Sequence, residues 1–249
     1  MSGRAPLVRR AAAEAVGTAA LVAVVVGSGI QATELTRDVG VQLLANSLAT
    51  VFGLGVLIAL LGPVCGAHFN PVVSLADWFT GRRDGEGLRG PELAAYIPAQ
   101  IAGAIGGAVL ADAMFARPLV HWSTHDRFAG HLWLGEVVAT AGLVLLIFGL
   151  ARSGRAHLAP AAVASFIGAA YWFTSSTSFA NPAVTIGRAF TDTFAGIAPG
   201  SVLPFLAAQL IGAAAGLGLV AVLFGRSSRA VADEVAVLRS EQRLAPSSR

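Results

Sequence analysis

Lysine is absent from this chain, cysteine occurs once, and charged residues of every kind make up only 12% of its 249 positions. So little charge excludes a soluble domain, since 55% of the residues are hydrophobic and the mean hydropathy is +0.69. The lone Cys65 excludes an internal disulfide and a thiolate metal cluster. Cys65 precedes Asn70 by five residues, either as a small buried apolar side chain or as a thiol open to mercurials or trivalent arsenic. No His, Cys or carboxylate group has metal-ligand spacing, and no Ser-His-acid set falls at a plausible depth, so no metal, cofactor or enzymatic activity is expected. Basic residues are not interleaved with aromatics, so the pI near 10.0 is not a nucleic-acid signal.

Long uncharged runs take the place of these features. Residues 15–33 and 39–76 contain no Asp, Glu or Arg, and residues 131–151, 156–187 and 200–225 contain one charge or none. Runs of this length can cross about 30 Å of hydrocarbon. Six spans are predicted, at 11–30, 41–61, 92–115, 131–150, 158–176 and 202–224. Two apolar segments remain, at 70–80 and 181–191. They are too short to cross and read as re-entrant half-helices buried in protein. The N-terminus shows no small-residue cleavage site, so no removable signal peptide is expected.

All 17 basic residues are arginine, and their placement predicts an orientation. With both termini inside, only Arg37, Arg117, Arg127 and Arg188 fall outside or at the outer mouth, and the other thirteen are cytoplasmic. A multi-pass protein of the plasma (inner) membrane is expected. Residues 116–130 form a polar outer crossing, and His121, His125 and His131, in or beside it, read as surface histidines or as a weak metal or pH site. Residues 226–249 form a polar cytoplasmic tail with an amphipathic turn at Val231, Val235 and Leu238.

The two halves repeat each other. Ala13-Glu14-Ala15-Val16-Gly17-Thr18 matches Gly135-Glu136-Val137-Val138-Ala139-Thr140, and Asn70-Pro71-Val72 recurs 111 positions later as Asn181-Pro182-Ala183. Each half holds three spans and one half-helix. Because three is odd, the second copy enters the membrane upside down, with a site expected at the midplane between copies. Asparagine caps helices and proline suits their first position, so each Asn-Pro word marks a buried helix start carrying roughly half a positive charge. Plain capping is the simpler alternative. Clusters such as Gly103, Ala104, Gly106 and Gly107, and Gly212, Ala213 and Gly216, read as close-packing faces between helices.

These residues resemble the major intrinsic protein family, the aquaporins and aquaglyceroporins. The likeness rests on the Glu14 and Glu136 openings, on Cys65-Gly66-Ala67-His68-Phe69-Asn70-Pro71 and on the second Asn-Pro-Ala, and it covers residues 11 to about 225. It implies an all-α membrane fold of six transmembrane helices plus two re-entrant half-helices. Residues 1–225 would form one channel domain, with repeats at about 11–115 and 131–224. It also implies a homotetramer in a lipid bilayer, each protomer a passive pore for small neutral solutes such as water, glycerol or arsenite, with no nucleic-acid partner. Asn70 and Asn181 would turn N–H groups to the passing solute. Glu14 and Glu136 would accept hydrogen bonds from the loop backbone, and His68 would make a structural hydrogen bond or serve as a gate.

One position departs from the family. The second motif is usually followed by arginine, and here Val184 follows it. Counting back twelve and three residues from Asn181, and twenty from Asn70, gives a constriction of Thr50, Ala169, Ser178 and Val184, with neither charge nor large ring. Such a filter is expected to be wide. Arg188, one turn beyond Val184, is a candidate for the outer mouth, and Asp77 is its counterpart in the first repeat. The run at 181–197 resembles an arsenic-associated bacterial branch. A secondary active transporter, with Glu14 or Glu136 coupling protons, and a water-selective aquaporin remain as alternatives.

Overall fold

The computed structural model describes residues 5–84 and 87–225, so the amphipathic turn predicted at Val231, Val235 and Leu238 lies outside the described residues. Eight α-helices and two 3-10 turns make up the regular structure among those residues. They are α1 (Leu7–Leu35), α2 (Val39–Cys65), α3 (Pro71–Asp84), α4 (Gly90–Met114), α5 (Gly130–Arg152), α6 (Ala159–Phe173), α7 (Pro182–Gly187) and α8 (Pro199–Phe224). Six of these, all but α3 and α7, are long and apolar enough to cross a membrane once the 3-10 turn at Ala156–Leu158 is joined to α6.

The spans extend beyond the apolar stretches that locate them, because polar helix ends continue past the hydrocarbon. α1 begins at Leu7 and carries Arg10 inside it, paired at 2.6 Å with Glu92 in the first turn of α4. α6 is shorter than its predicted stretch. It stops at Phe173, where Thr174 turns to extended backbone ahead of a Ser/Thr-rich loop. The half-helices are also unequal. α3 has 14 residues, whereas α7 has 6 before the backbone tightens into a 3-10 turn at Arg188–Phe190.

The most extensive helix contacts are α1 with α4 and α5 with α8, equivalent pairs in the two repeats. Glycine makes both possible. A Cβ on Gly103 would lie 2.2 Å from Ala15 O, and one on Gly107 2.2 Å from Ala19 O. Across the repeat, a Cβ on Gly212 would lie 2.5 Å from Val137 O, and one on Gly216 2.6 Å from Ala141 O. Helices that cannot rely on hydrophobic burial against lipid gain from backbone contact at small residues. Gly17 does the same for a loop, because the Phe69 ring occupies the place its Cβ would take, 2.0 Å away.

Adjacent glycines give this packing argument a control. Gly107→Ala forces a methyl against backbone and should destabilise the protein by about 1–3 kcal/mol. Gly106→Ala meets nothing within 4 Å and should be neutral. Thermal unfolding of both purified variants in detergent checks the contrast, and equal midpoints would mean that α1 and α4 do not meet this closely.

Candidate functional site

Two loops meet at the middle of the bundle, Gly66–Asn70 ahead of α3 and Thr174–Asn181 ahead of α7. Beyond Gly66 N and Thr174 N, which close the ends of α2 and α6, neither has a helical or sheet partner for its N–H groups, and in a dry interior each unpaired donor costs free energy. Buried carboxylates supply the acceptors. Glu14 on α1 accepts from His68 N at 2.9 Å, Phe69 N at 2.6 Å and Gln100 Nε2 at 2.8 Å. Glu136 on α5 accepts from Phe179 N at 2.8 Å, Ala180 N at 2.8 Å and Gln209 Nε2 at 2.7 Å. Both glutamates are fully buried. Gln100 also donates to Ser74 Oγ and Gln209 to Thr185 Oγ1, so the repeat extends to these partners.

Each loop takes its path through left-handed backbone at non-glycine residues. Ala67 and Phe69 have φ of 51° and 49°, and their repeat equivalents Ser178 and Ala180 have 52° and 48°. Such conformations are costly for side-chain-bearing residues and persist where surrounding contacts impose them. The two asparagines lock the loops together. Asn70 Nδ2 donates to Ala180 O at 2.8 Å, and Asn181 Nδ2 donates to Phe69 O at 2.7 Å. Their side-chain oxygens cap the half-helices, accepting from Val72 N and from Ala183 N and Val184 N. One N–H of each amide is thereby committed to the opposite loop, and capping and cross-linking are one arrangement.

A cavity of about 210 Å³ passes this junction and is lined by both asparagines. Asp77 lies at the end near the start of α1, and Arg188, Val184, Ser178, Thr50 and Tyr171 also line it. Pro71, Val72, Pro182 and Ala183 are buried helix starts that do not face it. His68 lines it too, and its Nδ1 lies 3.1 Å from Ser74 Oγ, a structural hydrogen bond. Cys65 is buried, with its Sγ donating to Leu61 O.

The expectation for Ala169 fails. Ala169 is exposed on the outside of α6, and the cavity is lined from that helix by Val163, Ile167 and Tyr171, spaced one turn apart. Counting from Asn181 crosses an irregular loop, so it carries no information about the phase of the preceding helix. The Tyr171 hydroxyl lies 3.1 Å from Thr50 Oγ1. A large ring and a guanidinium therefore line the cavity, although position 184 itself is valine as read. Ser178 Oγ is buried and has no hydrogen-bond partner.

Known proteins share the sequence pattern and the fold of this chain. Residues 1–180 match the family described as Major intrinsic protein. The chain belongs to that family. It is 50% identical to the aquaglyceroporin AqpS of Rhizobium meliloti (strain 1021), covering 86% of this chain and 89% of the relative. It is 30% identical to the glycerol uptake facilitator protein of Pseudomonas aeruginosa, covering 86% and 88%. The X-ray structure of the aquaglyceroporin from Plasmodium falciparum aligns with a TM-score of 0.60 at 20% identity, covering 86% of this chain and 96% of that one, and shares its fold.

In this major intrinsic protein the polar crossing folds onto the turn after α7. His121 N donates to Phe190 O and Ser123 N to Ala189 O. Asp192 accepts from Thr124 N at 2.8 Å, which holds its carboxyl below the ordinary range, while burial and the nearby Arg127 push His125 below its own. No group of three metal-ligating side chains forms among the described residues.

The glutamates predict their own failure. Glu136→Gln keeps one acceptor but turns a donor against backbone N–H groups, and Glu14→Gln does the same, each costing about 1–3 kcal/mol. Stability of the purified variants should fall, while solute selectivity per folded protein is retained. Loss of transport together with a proton dependence in the parent would point to coupling.

Proposed function

We propose that residues 1–225 form one passive channel for small neutral solutes, with water, glycerol and arsenite as candidates, and that the chain assembles as a homotetramer with one pore per protomer. The reading carries an orientation, with both termini on the cytoplasmic side of the inner membrane. The observation that carries it is a cavity that passes Asn70 and Asn181 between Asp77 and Arg188. Each asparagine amide keeps an N–H beyond the one given to the opposite loop, available to a hydroxyl oxygen of the solute. The half-helix starts beside them carry positive partial charge, which turns cations and protons back at the midplane.

Arsenite belongs in this set on chemical grounds. As(OH)₃ is uncharged at neutral pH and presents hydroxyl groups as a small polyol does. Valine at position 184 leaves room that a guanidinium would fill. Active transport is disfavoured by the commitment of Glu14 and Glu136, each of which already accepts three hydrogen bonds in the fold. No enzymatic activity is proposed, because nothing along the cavity supplies an activated nucleophile.

The deciding experiment is stopped-flow swelling of proteoliposomes with water, glycerol, urea and arsenite in parallel. Flux should rise linearly with gradient, without saturation and without ionic current. Saturable, proton-dependent uptake would replace the channel with a transporter, and water flux alone would mark a water-selective pore.

Two substitutions sharpen this. Val184→Arg should narrow the cavity and reduce glycerol flux by about tenfold, equivalent to ~1.4 kcal/mol of added barrier, with a smaller effect on water. Equal loss of both would remove Val184 from the constriction. Asn70→Asp and Asn181→Asp should admit a cation leak that the parent lacks in planar-bilayer recordings, since a carboxylate cancels the midplane field. A leaky parent would contradict the proposed barrier.

A further inference from the structure

Arg188 is the one charged residue on the α7 side of the cavity, and its surroundings are unusual for a cation. It is only 4% exposed, and its Cζ sits 3.4 Å from the centroid of the Phe179 ring. Arg127 approaches the same ring, with its Cζ 5.0 Å from the centroid. The two guanidiniums are held by consecutive carbonyls of one loop, Arg188 Nε donating to Ala195 O and Arg127 Nε to Gly196 O. Neither has a carboxylate partner among the described residues. For Arg188 this leaves the terminal nitrogens, Nη1 and Nη2, without a protein acceptor.

A buried fork of donors fixed through its Nε and its face, and lining a solute cavity, is a binding device. We infer that Arg188 is the specificity-determining residue of this pore, supplying from one helical turn further along α7 the guanidinium that position 184 lacks. Its Nη1 and Nη2 donate to adjacent hydroxyl oxygens of a polyhydroxylated neutral solute. The unpartnered Ser178 Oγ in the same cavity adds a second polar contact. Phe179 fixes the plane of the fork, and Phe179 N is itself tied to Glu136, so the fork is anchored to the midplane frame. The displacement explains how a pore can keep bidentate recognition while remaining open at Val184.

This inference rests on the channel reading, and its test separates the two. Permeability to glycerol, with adjacent hydroxyls, is measured against formamide, with a single acceptor oxygen, in proteoliposomes of the parent, Arg188→Leu, Arg188→Lys and the double variant Val184→Arg/Arg188→Leu. The glycerol-to-formamide ratio should fall about tenfold or more in Arg188→Leu, because a charge-assisted pair of hydrogen bonds is lost. It should also fall in Arg188→Lys, which keeps the charge without the fork. The double variant loses flux because position 184 is narrowed, and its ratio should lie above that of a Val184→Leu/Arg188→Leu control, because a guanidinium is returned to the cavity. A merely structural role for Arg188 would lower flux to both solutes together and leave the ratio unmoved. If Arg188→Leu does not fold, Arg188→Lys decides alone. An unchanged ratio in the folded Arg188 variants, beside a parent that conducts glycerol, overturns the assignment and leaves the channel standing. A parent no more permeable than empty vesicles overturns the channel itself.

Discussion

Everything at the centre of this protein depends on supplying acceptors to loop N–H groups that have no water to turn to. Glu14 and Glu136 each take two backbone donors and one glutamine amide, at distances between 2.6 and 2.9 Å. Without them, two stretches of irregular backbone would be left with unpaired donors in an apolar interior, a cost of several kcal/mol for each loop. With them, the loops can adopt the left-handed path at Ala67, Phe69, Ser178 and Ala180 that aims both half-helix starts at one point. A buried carboxylate here is therefore a fold element before it is an electrostatic one.

The same carboxylates account for where the helices pack most closely. Gln100, which donates to Glu14, precedes Gly103 on α4 by three residues, and Gln209, which donates to Glu136, precedes Gly212 on α8 by three. The glycine contacts bring α4 onto α1 and α8 onto α5 within a turn of the polar network. A side chain at Gly103 or Gly212 would separate the helices where the glutamine must reach across. Packing and polar satisfaction are thus coupled, and the small residues position the site from outside it.

Much of this was legible in the chain itself. Two Asn-Pro words, two glutamates inside apolar runs and an odd number of spans per half are enough to predict an inverted repeat with its site at the midplane, and the asparagine cross-lock follows that pattern. What could not be read was phase across the longer loop, Thr174–Asn181, whereas the count back from Asn70 crosses only Gly66–Asn70 and reaches Thr50, which lines the cavity. Ala169 was reached by counting through a loop whose residues do not advance at a helical rate, whereas Arg188 was reached by counting along α7 and does line the cavity. Tyr171 carries a readable signal in hindsight, since Val163, Ile167 and Tyr171 recur every four residues and so share one face of α6. Arg127 carries none, because its partners Phe179 and Gly196 are distant in sequence and a lone arginine in a polar crossing looks like any other.

The two repeats agree where they share a physical problem and diverge where they do not. Glutamate, asparagine, glutamine and the left-handed residues are paired across the halves because both loops must be satisfied in the same dry layer. Seven residues beyond each asparagine the pairing ends, with Asp77 inside the 14-residue α3 in one half and Arg188 at the start of the 3-10 turn that follows the 6-residue α7 in the other. Both of these residues line the one cavity, so a solute crossing it passes from a carboxylate environment to a guanidinium environment. An ion of either sign meets one favourable and one unfavourable end, besides the midplane field, whereas a neutral molecule with hydroxyl groups can donate to Asp77 and accept from Arg188. The broken symmetry therefore suits a molecule that is both donor and acceptor and carries no net charge.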